Sequence, residues 1–149
     1  MAIKSFRGQL ADGGQDKITL HTKDGSTGYR IINMSIIPND PTKNGNSESV
    51  VQIWKVEQST VSTTAVDINF NDQTLLGVGM WVGSDSPSYQ FSNQIIFDRD
   101  IFNQDIYITH TNTDGSKPVN YYIELEQIKL DLNENTVATL KDIRNIKSG

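Results

Sequence analysis

Apolar and polar residues alternate along most of this chain in short runs, and clusters of Gly, Asn, Asp, Ser and Pro separate the runs. Period-two patterning of β-branched and aromatic residues between turn formers predicts strands. Nine are expected, near Ile3–Leu10, Asp16–Thr22, Gly28–Ile37, Ser49–Gln58, Thr64–Phe70, Leu75–Val82, Tyr89–Phe97, Asp105–Thr111 and Val119–Leu130. Turn signals stand between them: ADGG at 11–14, DGST at 24–27, FND at 70–72, GSDSPS at 83–88 and TDGSKP at 113–118. The polar stretch PNDPTKNGNSES at 38–49 reads as a solvated connector, with a contact arm toward a neighbouring subunit as the alternative. The expected fold is all-β, an antiparallel, jelly-roll-like β-sandwich of about 8–9 strands over residues 1–132.

Within the strands the faces are readable. Val66, Ile68 and Phe70 share one side, as do Leu76, Val78, Met80 and Val82, with Gly77, Gly79 and Trp81 opposite. The two glycines either admit a close neighbour or leave a platform beside Trp81. In VVQIWKVE, Val51 and Ile53 oppose Val50, Trp54 and Val56, so this strand should be central or covered on both sides.

The last segment changes period. Asn133 can cap a helix from about Glu134 to Lys147, with Val137, Leu140, Ile143 and Ile146 at steps of three. Such a stripe drifts around the helix, so the 133–149 region is expected to pack on the sandwich or on a partner.

Both histidines sit in related stretches, HTKDGS from His21 and HTNTDGS from His110. If each Asp-Gly centres a two-residue hairpin turn, Leu20 pairs with Tyr29 and Ile18 with Ile31, while Ile106 pairs with Ile123 and His110 with Val119. His21 then faces out and His110 in, so a shared His/Asp site is not expected. The same registers make Tyr107 and Tyr122 an outward cross-strand pair beside Glu124, with Tyr121 inward.

Composition narrows the chemistry. The 149 residues contain no cysteine, which removes disulfides, thiolate catalysis and Cys-ligated zinc. A net charge of -5 argues against nucleic acid as a partner, and no apolar run is long enough for a membrane helix or an export signal. Neither zinc-helix spacing nor Gly-x-Ser-x-Gly occurs. Asp98, Asp100 and Asp105 in FDRDIFNQD, and Glu124 with Glu126, read as charge-balanced surface, with calcium or paired-carboxylate catalysis as the alternatives. No catalytic residue, metal site or cofactor is expected. Trp54, Trp81, Tyr107, Tyr122, Val137, Leu140 and Ile143 are the interface candidates.

The opening MAIKSFRGQLADGGQDKITL, the middle FNDQTLLGVGMWV and FNQDIYITH, and the close NYYIELEQIKLDLNENTVATLKDIRNI resemble small virion structural proteins of marine tailed bacteriophages. The resemblance runs along nearly the whole chain in texture and carries no catalytic residue. It implies a non-enzymatic protein that decorates the capsid, or a tail component, made in the bacterial cytoplasm and destined for the virion. Its partners would be capsid or other virion proteins, and self-association, as a trimer for instance, would suit a symmetric particle. A carbohydrate-binding module or tail-associated adhesion component is the rival expectation, with Trp81 and the outward tyrosines stacking on sugar rings.

Overall fold

In the computed structural model, residues 2–41, 47–85, 88–114 and 117–130 are described. They form eight strands: β1 (Ala2–Leu10), β2 (Gln15–Ile18), β3 (Thr27–Pro38), β4 (Ser47–Trp54), β5 (Leu75–Asp85), β6 (Ser88–Ile96), β7 (Ile106–Asp114) and β8 (Val119–Lys129). A three-stranded sheet has the order β1-β8-β3, and a five-stranded sheet the order β2-β7-β4-β5-β6. Every pairing is antiparallel. The two sheets enclose one main core, so the described residues form an all-β sandwich. The helix expected from Glu134 lies outside the described residues, as do Val137, Leu140 and Ile143.

Alternation decides which side of each strand enters the core. On β8, Val119, Tyr121, Ile123 and Leu125 are buried, while Asn120, Tyr122, Glu124 and Glu126 point away. β3 keeps its apolar set inward by a bulge between Ile31 and Asn33, which resets the phase so that Ile31, Met34 and Ile36 all reach the core. From the opposite sheet come Val51, Ile53, Ile106 and Ile108. Each such side chain, fully buried, contributes roughly 1.5–3 kcal/mol.

The expected hairpins are not formed. β2 pairs with β7, and β3 with β8, so Leu20–Tyr29 and Ile18–Ile31 are not partners. β7 and β8 likewise lie in different sheets, and Ile106–Ile123 and His110–Val119 do not pair. Asp24 instead closes a local turn, accepting the Ser26 amide on Oδ1, and Gly25 takes φ +66°. An Asp-Gly signal fixes a reversal of the chain but is silent on whether the chain returns to its own sheet or crosses to the other.

Residues 64–70 do not form a strand. Side-chain oxygens take the backbone donors there: Ser62 Oγ accepts the Thr64 and Ala65 amides, Asn69 Oδ1 that of Asn71, and Asp72 Oδ1 that of Thr74. This competition is how Ser, Asn and Asp divert a chain from a ladder. The irregular 55–74 connection lies over the outer face of the five-stranded sheet, where Val66 joins Val50, Leu75, Val78, Trp54 and Phe97 in a second cluster. That cover explains the apolar residues on both faces of β4, which stands in the middle of its sheet.

Candidate interaction surfaces

The outer face of the three-stranded sheet is a grid set by register. Its rows are Ile3–Glu126–Arg30, Ser5–Glu124–Asn33, Arg7–Tyr122–Ser35 and Gln9–Asn120–Ile37. Arg30 donates to Glu126 Oε2 from Nε at 3.1 Å and from a terminal nitrogen at 2.8 Å, and Asn33 donates to Glu124 Oε1 at 2.7 Å. One end of the face is thus charge-balanced. The other holds a shallow hollow of about 470 Å³, walled by Arg7, Gln9, Ser35, Ile37 and Asn120, with Tyr122 at 37% exposure. Gln9 donates to Asn120 Oδ1 at 3.1 Å across its rim.

Tyr122 therefore projects outward, as the alternation predicts, yet Tyr107 is not beside it. Tyr107 belongs to the other sheet, opposite Lys17 on one side and Trp54 on the other. The expected Tyr107–Tyr122 pair depended on a β7–β8 hairpin and disappears with it. Trp54 is half-buried, its indole Nε1 donating to Thr109 Oγ1 at 3.0 Å. Trp81 turns toward the opposite sheet and packs against the main core. The glycines beside it leave no open platform: a Cβ on Gly79 would stand 2.9 Å from Met34 Cε. Met34 fills that space.

The five-stranded sheet is covered unevenly. The 55–74 connection lies across β2, β7 and β4, tied down by Thr111 Oγ1 donating to Ser62 O and by Gln15 and Gln58 exchanging two bonds at 2.9 Å. Beyond it, β5 and β6 present Met80, Val82, Phe91 and Ile95 on the same outer side. Phe91 is 53% exposed and Ile95 39%. Further along, Phe70 meets Phe97 edge-on at 5.2 Å.

The histidines occupy opposite environments, as expected, for reasons the hairpins did not supply. His21 is exposed, its Nδ1 2.7 Å from Asp105 Oδ1, and that oxygen also accepts the Leu20 and His21 amides. Burial alone would raise the Asp105 pKa, but the hydrogen bonds from the His21 ring, the His21 amide and the Leu20 amide outweigh it and hold the carboxyl at about 2. Asp105 was legible only as part of an acidic cluster; no spacing rule joins it to His21 across 84 residues. His110 is buried, with Nδ1 3.1 Å from Leu10 O and 3.2 Å from Ala11 O. Two carbonyl partners mean that Nδ1 carries the proton. Burial pushes its pKa down, against the opposing effect of those carbonyls and of Asp12.

Asp98 is exposed in a turn, and no group of three His, Asp or Glu side chains suited to a metal occurs among the described residues. Among the described residues there is no helix long and apolar enough to cross a membrane, which says nothing of strands.

No protein-family model matches the chain, and no curated protein matches it. Among solved structures, a basic winged bean lectin with Tn-antigen aligns over 85% of this chain and 99% of its own, at 7% identity and a TM-score of 0.26. A likeness that distant defines no class beyond the β-sandwich already seen in the strands.

Proposed function

We propose that this chain is a non-enzymatic virion structural protein of a tailed bacteriophage, one that decorates or cements the capsid through protein–protein contacts. The observation that supports this reading is that both outer faces carry large exposed apolar side chains. Ile3, Ile37 and Tyr122 project from one sheet, Phe91 and Ile95 from the other, all at least 37% exposed. Grouped exposed apolar side chains rimmed by polar ones are what protein interfaces are made from. The strand order, with β8 between β1 and β3 and β7 between β2 and β4, fits a jelly-roll-like wrapping, an arrangement found in viral coats and in lectins alike. Fold therefore leaves the choice to the surface and to the resemblance of the sequence.

In this reading the protein is made in the bacterial cytoplasm, associates with copies of itself and ends in the particle. The test is peptide mass spectrometry of purified particles, with wild type and with Ile37→Asp and Tyr122→Ala. Stoichiometric incorporation of the wild type, reduced at least tenfold in one of the two variants, is the expected result. Absence of the wild-type protein from intact particles would sink the proposal.

One observation favours a second reading, a carbohydrate-binding module. Tyr122 lies in a hollow flanked by the Asn120 and Gln9 amides, Ser35 and Arg7, and a ring with adjoining amides suits the apolar face and hydroxyls of a sugar. Binding on a glycan array that vanishes in Tyr122→Ala would favour this module over the coat role.

A further inference from the structure

A sandwich of two open sheets has four edge strands, here β1 and β3 in one sheet and β2 and β6 in the other. Exposed edges invite pairing with another chain, and proteins guard them with charge, Pro, bulges or shortness. β1 carries Lys4 and Arg7. β2 is only four residues long and includes Asp16 and Lys17. β3 has Arg30, a bulge after Ile31 and Pro38 at its end. β6 has none of these. Its nine residues, SYQFSNQII, contain no charge and no proline, and its register on β5 runs without a shift from Ile96 to Ser88.

Among the described residues no strand lies beyond β6, whose Gln90 side chain donates to Pro41 O at 2.7 Å near one end. We infer that this outer edge is a self-association edge, pairing antiparallel with β6 of a second copy about a two-fold axis at Asn93. The register follows from geometry. The Phe97 amide bonds to Leu76 O, next to the Ile96–Gly77 pair. With period two, the odd residues of β6 spend their backbone groups on β5, and the even ones, Gln90, Ser92, Gln94 and Ile96, direct theirs to the free edge. A symmetric pair must set even residues opposite even ones. Centring it on Asn93 places Ser92 opposite Gln94 of the second copy, with Phe91 opposite Ile95 and Asn93 opposite itself. Apolar residues then meet apolar ones on the outer face, and amide meets amide on the axis. Moving the centre to Ser92 or Gln94 instead sets Phe91 or Ile95 against Asn93. The open face of Met80, Val82, Phe91 and Ile95 would continue across the junction into its symmetry mate.

The occupant is a second copy rather than a foreign strand because this register makes the edge complementary to itself in hydrogen bonds and in side chains. The inference names how the proposed self-association occurs, as a two-fold pair rather than a trimer. It stands on the β6 edge alone, so loss of the virion reading would leave it intact.

The test uses the full chain and its lack of cysteine. Sedimentation at about 100 μM, which populates even weak pairs, is expected to show a dimer. Ser92→Pro removes an edge-facing amide without breaking a β5 bond, and Asn93→Lys sets like charges together on the axis. Each is expected to weaken the dimer at least tenfold, with Asn93→Lys guarding against a misfolded proline variant. Asn93→Cys should give a covalent dimer under mild oxidation, because residues opposite each other in a non-hydrogen-bonded pair have Cα atoms about 4.5 Å apart, within disulfide range. A wild-type monomer or trimer, a dimer unaffected by both Ser92→Pro and Asn93→Lys, or no cross-link from Asn93→Cys would each overturn the inference.

Discussion

At the scale of single residues, the shifted Asp105 and His110 each make stability depend on pH. The folded Asp105 carboxyl lies at about 2, below its ordinary value of 3.8. A depressed carboxyl stabilises the fold above its unfolded pKa, and that contribution disappears as pH falls from about 4 to 2. Its size is on the order of 2 kcal/mol. Urea titrations at pH 2 to 5 should show the wild type losing more stability across this window than Asp105→Asn, which begins lower and changes less. His110 has the opposite chemistry. Its folded pKa is lowered by burial, so the unfolded chain takes up the proton first, and stability is lost as pH drops below 6.5. Replacing His110 with Gln should flatten that part of the curve. Close approach is equally local: a Cβ on Gly8 would stand 2.7 Å from Tyr121 Oη and 2.9 Å from two ring carbons. That ring crosses between the sheets, with Oη donating to Asp16 Oδ2 at 2.8 Å. Gly8→Ala is therefore expected to cost roughly 1–3 kcal/mol, the usual range for overpacking, measured by chemical denaturation.

At the scale of elements, the sequence made faces legible and partners obscure. The alternation in VNYYIELEQ placed Tyr121 in and Tyr122 out because a buried face imposes a period of two that needs no knowledge of neighbours. Pairing is a non-local property. The stretch DGST marked a turn correctly, but whether β3 lies beside β2 depends on the cores of both sheets, and no pair of residues near Asp24 records that choice. The Thr64–Phe70 run misled for another reason. Its three apolar residues alternate, yet Val66 is consumed by the cluster over β4 while Ile68 and Phe70 remain exposed. The surface pair Tyr107 and Tyr122 fell with the hairpin that predicted it, and the neighbours Trp54 and Tyr107 could not be read without the β4–β7 register. The covering connection should behave as a unit. Val66→Asp is expected to detach it, expose Trp54, red-shift the tryptophan emission and lower stability by about 2 kcal/mol or more, as for other losses of a buried apolar contact.

At the scale of the whole molecule, both sheets are stitched by strands distant in sequence. Among the described residues β1 pairs with β8 alone, and β2 with β7 alone. Loop closure must precede the reward from such contacts, so refolding belongs in the slow range for small domains, about milliseconds to seconds. Stopped-flow tryptophan fluorescence checks this, and a dominant microsecond phase would contradict it. The interaction surfaces inherit the same topology. The Tyr122 hollow spans β1, β8 and β3, and the open apolar face lies on β5 and β6 of the other sheet, so the two surfaces point away from one another across the core. A protein arranged in this way can be held on one side while its other side stays available.

The middle position of β8 also bears on synthesis. β1 and β3 touch each other only through it, yet it is made after both. On the ribosome, the first seven strands leave the exit tunnel with no strand to join β1 to β3. The three-stranded sheet is therefore completed only when residues 119–129 have emerged, and Val119, Tyr121, Ile123 and Leu125 are the last buried side chains of that sheet to be made.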